Sequence, residues 1–372
     1  MLYYYKNTLT AFTLFLMSAP LVRAEAPQVV ADIAPVHALV SRVMQGVGTP
    51  DLLLPPGTSP HGYALRPSQA RSLTGADLVV WIGPELTPWL DDALQSLASD
   101  TPKLSLLKAP DTLLFQFRET AIFDDHDDHD EKGHDDHDDH DDHDEKGHDD
   151  HDEHAHDDHD DHEEKGHDDH DEHGDDDHDK HDDHDKDEGH DEAHDDHDHH
   201  DHDGVDPHAW LDPENAKLWL DVIAAELSAQ DPENAATYAV NAQAGQDEID
   251  LAVKDLTVKL ATKQDQGFIV FHDAYQYFEA RFGLKVAGAF QVSDAVAPGA
   301  ARVAALRDRV AQGNIACIFT EPQFNPDTVR RIGEAANLKV AVLDPMGAHL
   351  DPGSDLYVSL LRSMAGQIAD CL

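Results

Sequence analysis

The 372-residue chain lacks any run of about 20 consecutive apolar residues, the length a membrane-spanning helix requires. Its most apolar stretch, Leu9 to Leu21, is shorter, and no Cys follows it, which argues against both a transmembrane and a lipid anchor there. Basic residues are scarce. Lys and Arg number 26 against 77 Asp and Glu, a formal net charge of −51, and such a balance excludes nucleic acid and anionic membrane as natural partners. Cysteine is limited to Cys317 and Cys371.

One interior stretch lacks still more. From Asp124 to Asp203 there is no Leu, Val, Ile, Phe, Tyr or Trp; its residues are 24 His, 44 Asp or Glu and 5 Lys, with Gly and Ala between them. A segment with nothing apolar to bury cannot offset the entropy of ordering itself, and like charges at this density repel in any compact form. The composition predicts a disordered loop in the metal-free state. Imidazole is a common borderline metal ligand and carboxylates supplement it. The tract is therefore expected to bind metal weakly at several places, with His126, His129, His134, His137 and His140 near its start and His197, His199, His200 and His202 near its end as ligands. A plain acidic spacer would have no need of these imidazoles.

The remaining chain divides around this tract. Residues 1–24 read as a secretory signal peptide, with Lys6 in a positive leader and Val22-Arg23-Ala24 ending in a small-residue cleavage site, so an exported protein is expected. Residues 25–123 alternate short apolar runs with amphipathic ones, from Val29-Val30-Ala31-Asp32-Ile33 through Asp77 to Gly83 and Lys103 to Leu107. This pattern predicts a β/α lobe. Residues 204–234 complete it with helices, and residues 235–264 form a long linking helix broken only by Gly245. Residues 265–372 repeat the alternation as a second β/α lobe. The fold class is α/β: two lobes with parallel-type sheets, joined by one rigid helix, with a ligand cleft between them at strand carboxyl ends.

Five His lie outside the tract, and three of them sit in loops at strand ends beside Pro, Gly and aromatics. These are His61 in Pro60-His61-Gly62-Tyr63, His208 in Asp206-Pro207-His208-Ala209-Trp210, and His272 in Phe271-His272-Asp273-Ala274-Tyr275. Three imidazoles with one carboxylate or water make a tetrahedral zinc set. Asp344, following the strand Val340 to Leu343, is the expected fourth ligand, though an Asp before Pro345 equally suits a turn cap. Glu321 is a weaker choice that would instead orient a His. His37 and His349 read as structural.

At these residues the chain resembles the periplasmic solute-binding proteins of bacterial zinc ABC transporters, the ZnuA type. The stretches that carry the likeness are Pro60 to Ser68 (PHGYALRPS), Ala76 to Gly83 (ADLVVWIG), Asp206 to Pro213 (DPHAWLDP) and His272 to Phe278 (HDAYQYF). The resemblance implies metal binding by His61, His208 and His272. It also leans toward Zn2+, because manganese-type relatives typically carry Glu at the position of His272. Some relatives have an acidic residue where Pro60 stands, which favours Asp344 or water as the fourth ligand here. Ser293 to Gly299 departs from the usual Glu-Pro-Ser start of the next helix. A Cys317–Cys371 disulfide, similar to a bridge in zinc-type relatives, is expected in an oxidising compartment, the alternative being two buried thiols.

The functional expectation is a periplasmic, monomeric zinc receptor that hands Zn2+ to the membrane permease of an ABC importer, without inserting into the membrane itself. Two other classes stand beside it. A periplasmic zinc buffer would use the tract as its working part. A zinc enzyme would share the three-His set, but the chain has no His-Glu-x-x-His helix and no evident general base, so no enzymatic activity is expected.

Overall fold

Apolar runs punctuated by Gly and Pro form the strands of two fully parallel sheets, as expected where both sheet faces are covered by helices. The computed structural model describes residues 26–118, 120–123, 204–291 and 299–372. The expected signal peptide, the acidic His tract with the auxiliary ligands expected in it, and most of the segment Ser293 to Gly299 lie outside these residues.

The first lobe runs β1 (Val29–Ala31), α1 (Ala34–Val43), β2 (Asp51–Leu52), α2 (Pro67–Thr74), β3 (Leu78–Trp81), α3 (Pro88–Leu97) and β4 (Lys103–Ser105). Its sheet has the order β2-β1-β3-β4. All of β3 is buried, and α1 carries Pro35 in its first turn, where the missing N–H would be left unbonded anyway. After the tract come α4 (Pro213–Gln230) and α5 (Ala235–Leu260). The second lobe runs β5 (Gly267–His272), α6 (Gln276–Phe282), β6 (Lys285–Gln291), α7 (Ala300–Ala311), β7 (Ile315–Thr320), α8 (Asp327–Ala336), β8 (Lys339–Val342) and α9 (Leu356–Cys371). Its order, β6-β5-β7-β8, repeats that of the first lobe.

Helix α5 buries Tyr238, Ala242, Ile249, Ala252, Leu256 and Leu260, a single stripe at helical spacing. It packs on α1 and α4 of the first lobe and on α6 and α9 of the second. Gly245 permits the close crossing with α4, since a Cβ there would stand 2.9 Å from Leu220 Cδ1. One continuous apolar core runs through both lobes, from Val29 and Leu78 to Phe268 and Tyr357. Among the described residues no helix is long and apolar enough to cross a membrane. A disulfide joins Cys317 of β7 to Cys371 of α9.

The segment that leads into the tract differs from its sequence grouping. Gln116 pairs antiparallel with Val205, and Phe117 N donates to Gly204 O at 3.0 Å, so the outgoing and returning chains lie side by side. Residues 121–123, grouped with the first lobe by sequence, instead line the free edge of the second sheet, where Ile122 pairs antiparallel with Gly288 of β6. Gly288 is required by that approach: a Cβ would fall 2.4 Å from the Ala121 carbonyl oxygen. Arg118 reinforces the crossing by an ion pair to Asp273 and a second to Glu279.

Candidate metal centre

Each lobe has its strand-order reversal beside its first strand, the place where such sheets bind ligands. In the second lobe His272 ends β5, and Glu321 immediately follows the adjacent β7. His61 comes from the loop after β2, held by Trp89 Nε1 donating to Pro60 O at 2.7 Å. His208 lies in the returning chain just before α4. That stretch is pinned by second-lobe groups: Tyr277 Oη donates to Asp206 O at 2.8 Å, and Tyr357 Oη donates to Trp210 O at 2.8 Å. In turn, Trp210 Nε1 donates to Pro345 O at 3.0 Å.

These elements bring His61, His208 and His272 together, with one ring nitrogen of each inside a 4.8 Å group. His208 and His272 are buried and His61 is half-buried. The Nε2 atoms of His208 and His272 are 3.3 Å apart. A tetrahedral zinc ion with Zn–N bonds of about 2.0–2.1 Å separates two ligand nitrogens by about 3.3–3.4 Å, so the pair already stands at a coordination edge.

Carboxylates fix which nitrogens face inward. Asp206 Oδ1 lies 2.7 Å from His208 Nδ1, and Glu321 Oε1 lies 2.7 Å from His272 Nδ1. Each ring therefore gives its Nδ1–H to a carboxylate and leaves Nε2 as the electron-pair donor. Burial, with the nearby His272 charge, holds the His208 imidazole well below its ordinary range, which keeps it neutral and ready to ligate. Burial also pushes Asp206 up to about 7 and raises Glu321. A dication on the far side of each imidazole would favour their charged forms.

Asp344 is not brought into this cluster. Its carboxylate accepts from the backbone N–H groups of Met346, Gly347 and Ala348 at 3.0, 3.0 and 2.6 Å, and lies 3.2 Å from His349 Nδ1. It serves as the turn cap that Asp before Pro also suggested, and it sets Pro345 and Met346 in the cavity wall. His37 is structural, with Nε2 3.1 Å from Pro50 O.

Residues 29–371 match the family described as "Zinc-uptake complex component A periplasmic" (ZnuA). The chain belongs to this family. Among curated members, the "High-affinity zinc uptake system protein ZnuA" of Paracoccus denitrificans is 45% identical over 94% of this chain and 93% of its own length. The protein of the same description from Brucella abortus is 40% identical over 94% and 92%. Among solved structures, the periplasmic zinc-binding protein TroA of Treponema pallidum superposes with a TM-score of 0.65 at 17% identity, covering 93% of this chain and 99% of its own, a likeness of fold.

In this ZnuA-family chain the role of Asp206 was not assigned from sequence, although it stands only two residues before His208. Its Oδ1 also accepts from His208 N at 3.0 Å, the short-range turn that brings it to the ring. Asp206→Asn and Glu321→Gln are each expected to weaken zinc binding by about 10–100-fold, the usual effect of losing a carboxylate behind a ligating His. Competition with a zinc chelator measures this; parent affinity in both variants would show that neither carboxylate tunes its imidazole.

Proposed function

We propose that this protein captures Zn2+ in the periplasm on His61, His208 and His272 and passes it to the permease of an ABC importer. The observation that carries the reading is the 3.3 Å separation of the His208 and His272 Nε2 atoms, each ring backed by its own carboxylate. The family and its zinc-uptake relatives support zinc as the cargo. In this reading zinc is transported, not used for catalysis, and the carboxylates beside the site orient imidazoles instead of serving as general bases. The mature chain acts as a monomer organised as two lobes, 25–120 with 204–234, and 265–372 with 121–123 on its sheet edge, linked by the helix within 235–264. The tract 124–203 is an auxiliary, weaker zinc collector. Because it returns four residues before His208, metal released from its last histidines reappears beside the site at raised effective concentration.

Replacing residues 124–203 by a short Gly/Ser linker separates receptor from buffer. Phe117 N donating to Gly204 O lays the chain that leads toward the tract beside the chain that follows it, an arrangement a short linker suits. Calorimetric titration with zinc is expected to retain one tight site and lose several weaker ones. Loss of the tight site along with the tract would favour the buffer.

A further inference from the structure

The turn from Glu321 to Phe324, which follows β7, forms part of the cavity wall. Phe324 N donates to Glu321 O at 3.3 Å, and the Phe324 ring stacks on Phe271 of β5 with centroids 4.6 Å apart and planes 8° from parallel. Those contacts hold Gln323 against the cavity that His61, His208 and His272 also line. Both amide atoms of Gln323 are sequestered from solvent, and among the described residues neither has a hydrogen-bond partner. A native fold rarely keeps two such atoms unless something else bonds to them.

The other polar groups of the wall are committed. The histidines supply nitrogens, Glu321 holds His272 Nδ1, and Trp210 Nε1 donates to Pro345 O. Asp344, which does not line the cavity, is engaged by three backbone amides and His349. The cavity volume is ≈ 10 Å³, room for about one water-sized occupant.

We propose that Gln323 holds a water molecule as the fourth ligand of the bound zinc ion. A neutral carboxamide is not among the usual zinc donors, so its contact with the metal runs through that water. The ion is then held by three imidazoles and one exchangeable neutral ligand, an open position of the kind catalytic zinc keeps. Here it serves release, because no protein carboxylate has to be pulled from the metal. This inference rests on the three-histidine reading.

The test uses the full chain carrying one equivalent of Co2+, whose four-coordinate form absorbs far more strongly in the visible than six-coordinate cobalt on carboxylates and water. Gln323→Leu removes both amide atoms at nearly constant volume. It is expected to weaken zinc retention against a chelator about tenfold, the effect of one hydrogen bond to a charged centre. Thiocyanate should also displace the fourth ligand of its cobalt form at a clearly lower concentration than in the parent. Gln323→Glu, which stays polar and fills the same space, offers the metal-bound water a charged acceptor in place of the amide and is expected to slow zinc release. Parent-like affinity and parent-like cobalt spectra in Gln323→Leu would overturn the proposal. So would weakened binding with an unaltered thiocyanate response, which would mark a packing role only. His61→Ala is the parallel control: a parent-like cobalt spectrum there removes the three-histidine reading, whereas its loss beside an unaltered Gln323→Leu removes only the role of Gln323.

Discussion

Chains carrying His208→Ala, His61→Ala or His272→Ala will each lose more than about 100-fold in affinity at the tight zinc site. The lower bound comes from comparison: removing a carboxylate that only orients a ligand costs about 10–100-fold, and removing the ligand itself costs more. His208→Ala acts on the most constrained of the three. Its ring is packed 5.1 Å from that of His272 and 5.2 Å from that of Trp210, centroid to centroid. The substitution also strips Asp206 of its ring partner, leaving a buried carboxylate with one backbone amide as its remaining bond in that turn. His61→Ala is the cleaner variant for folding, because His61 is half-buried and comes from a loop. Zinc retained against a chelator that strips weaker sites is the measurement, with far-ultraviolet circular dichroism to confirm the fold. Parent-like retention in all three variants would show that the tight site lies elsewhere.

Replacing both Cys317 and Cys371 by Ala will lower stability by about 4 kcal/mol, an upper figure from loop closure across the separation of 54 residues. For a chain of this size that corresponds to a fall in melting temperature on the order of 10 °C. The bond ties the last turn of α9 to β7, and Cys317 is completely buried. Helix α9 itself should stay docked, since Leu356, Tyr357, Leu360, Leu361, Met364, Ala365 and Ile368 are all buried without help from sulfur. Zinc affinity should change little, because the site residue nearest in sequence, Glu321, lies beyond the end of β7 and is held by His272. Calorimetric melting of the variant and of the reduced parent checks both points; a shift of a degree or less would mean that packing of α9 already supplies the restraint.

The alternation of strands and helices was legible because parallel strands buried on both faces read as unbroken apolar runs. Boundaries moved slightly where backbone pairing, not composition, sets them. The apolar run Leu52-Leu53-Leu54 has the composition of a strand, yet β2 is Asp51–Leu52, with Leu53 and Leu54 continuing as single bonds to Ala31 O and Asp32 O. The disulfide was expected from two cysteines and the family likeness, and the structure joins them. The three histidines were legible for a different reason: each sits where a strand or a returning chain ends against Pro or an aromatic, and the fold brings such ends to one cleft. Asp344 shows the reverse. Its place after β8 is like that of Glu321 after β7, and nothing local distinguishes a carboxylate that faces the cleft from one turned back onto three amides.

The sequence alone therefore determined the class of fold and singled out three histidines whose donor type suits zinc, because these depend on periodicity and on side-chain chemistry, both local properties. Tertiary structure decided which nitrogen of His208 and of His272 faces the cluster, through Asp206 and Glu321, and that Gln323 rather than Asp344 borders the cavity. It also decided that residues 121–123 lie on the second sheet instead of the first. Those choices rest on directions and distances between segments far apart in the chain. Glu321 stands 49 positions from His272 and yet lies 2.7 Å away, a relation that only the packed fold creates.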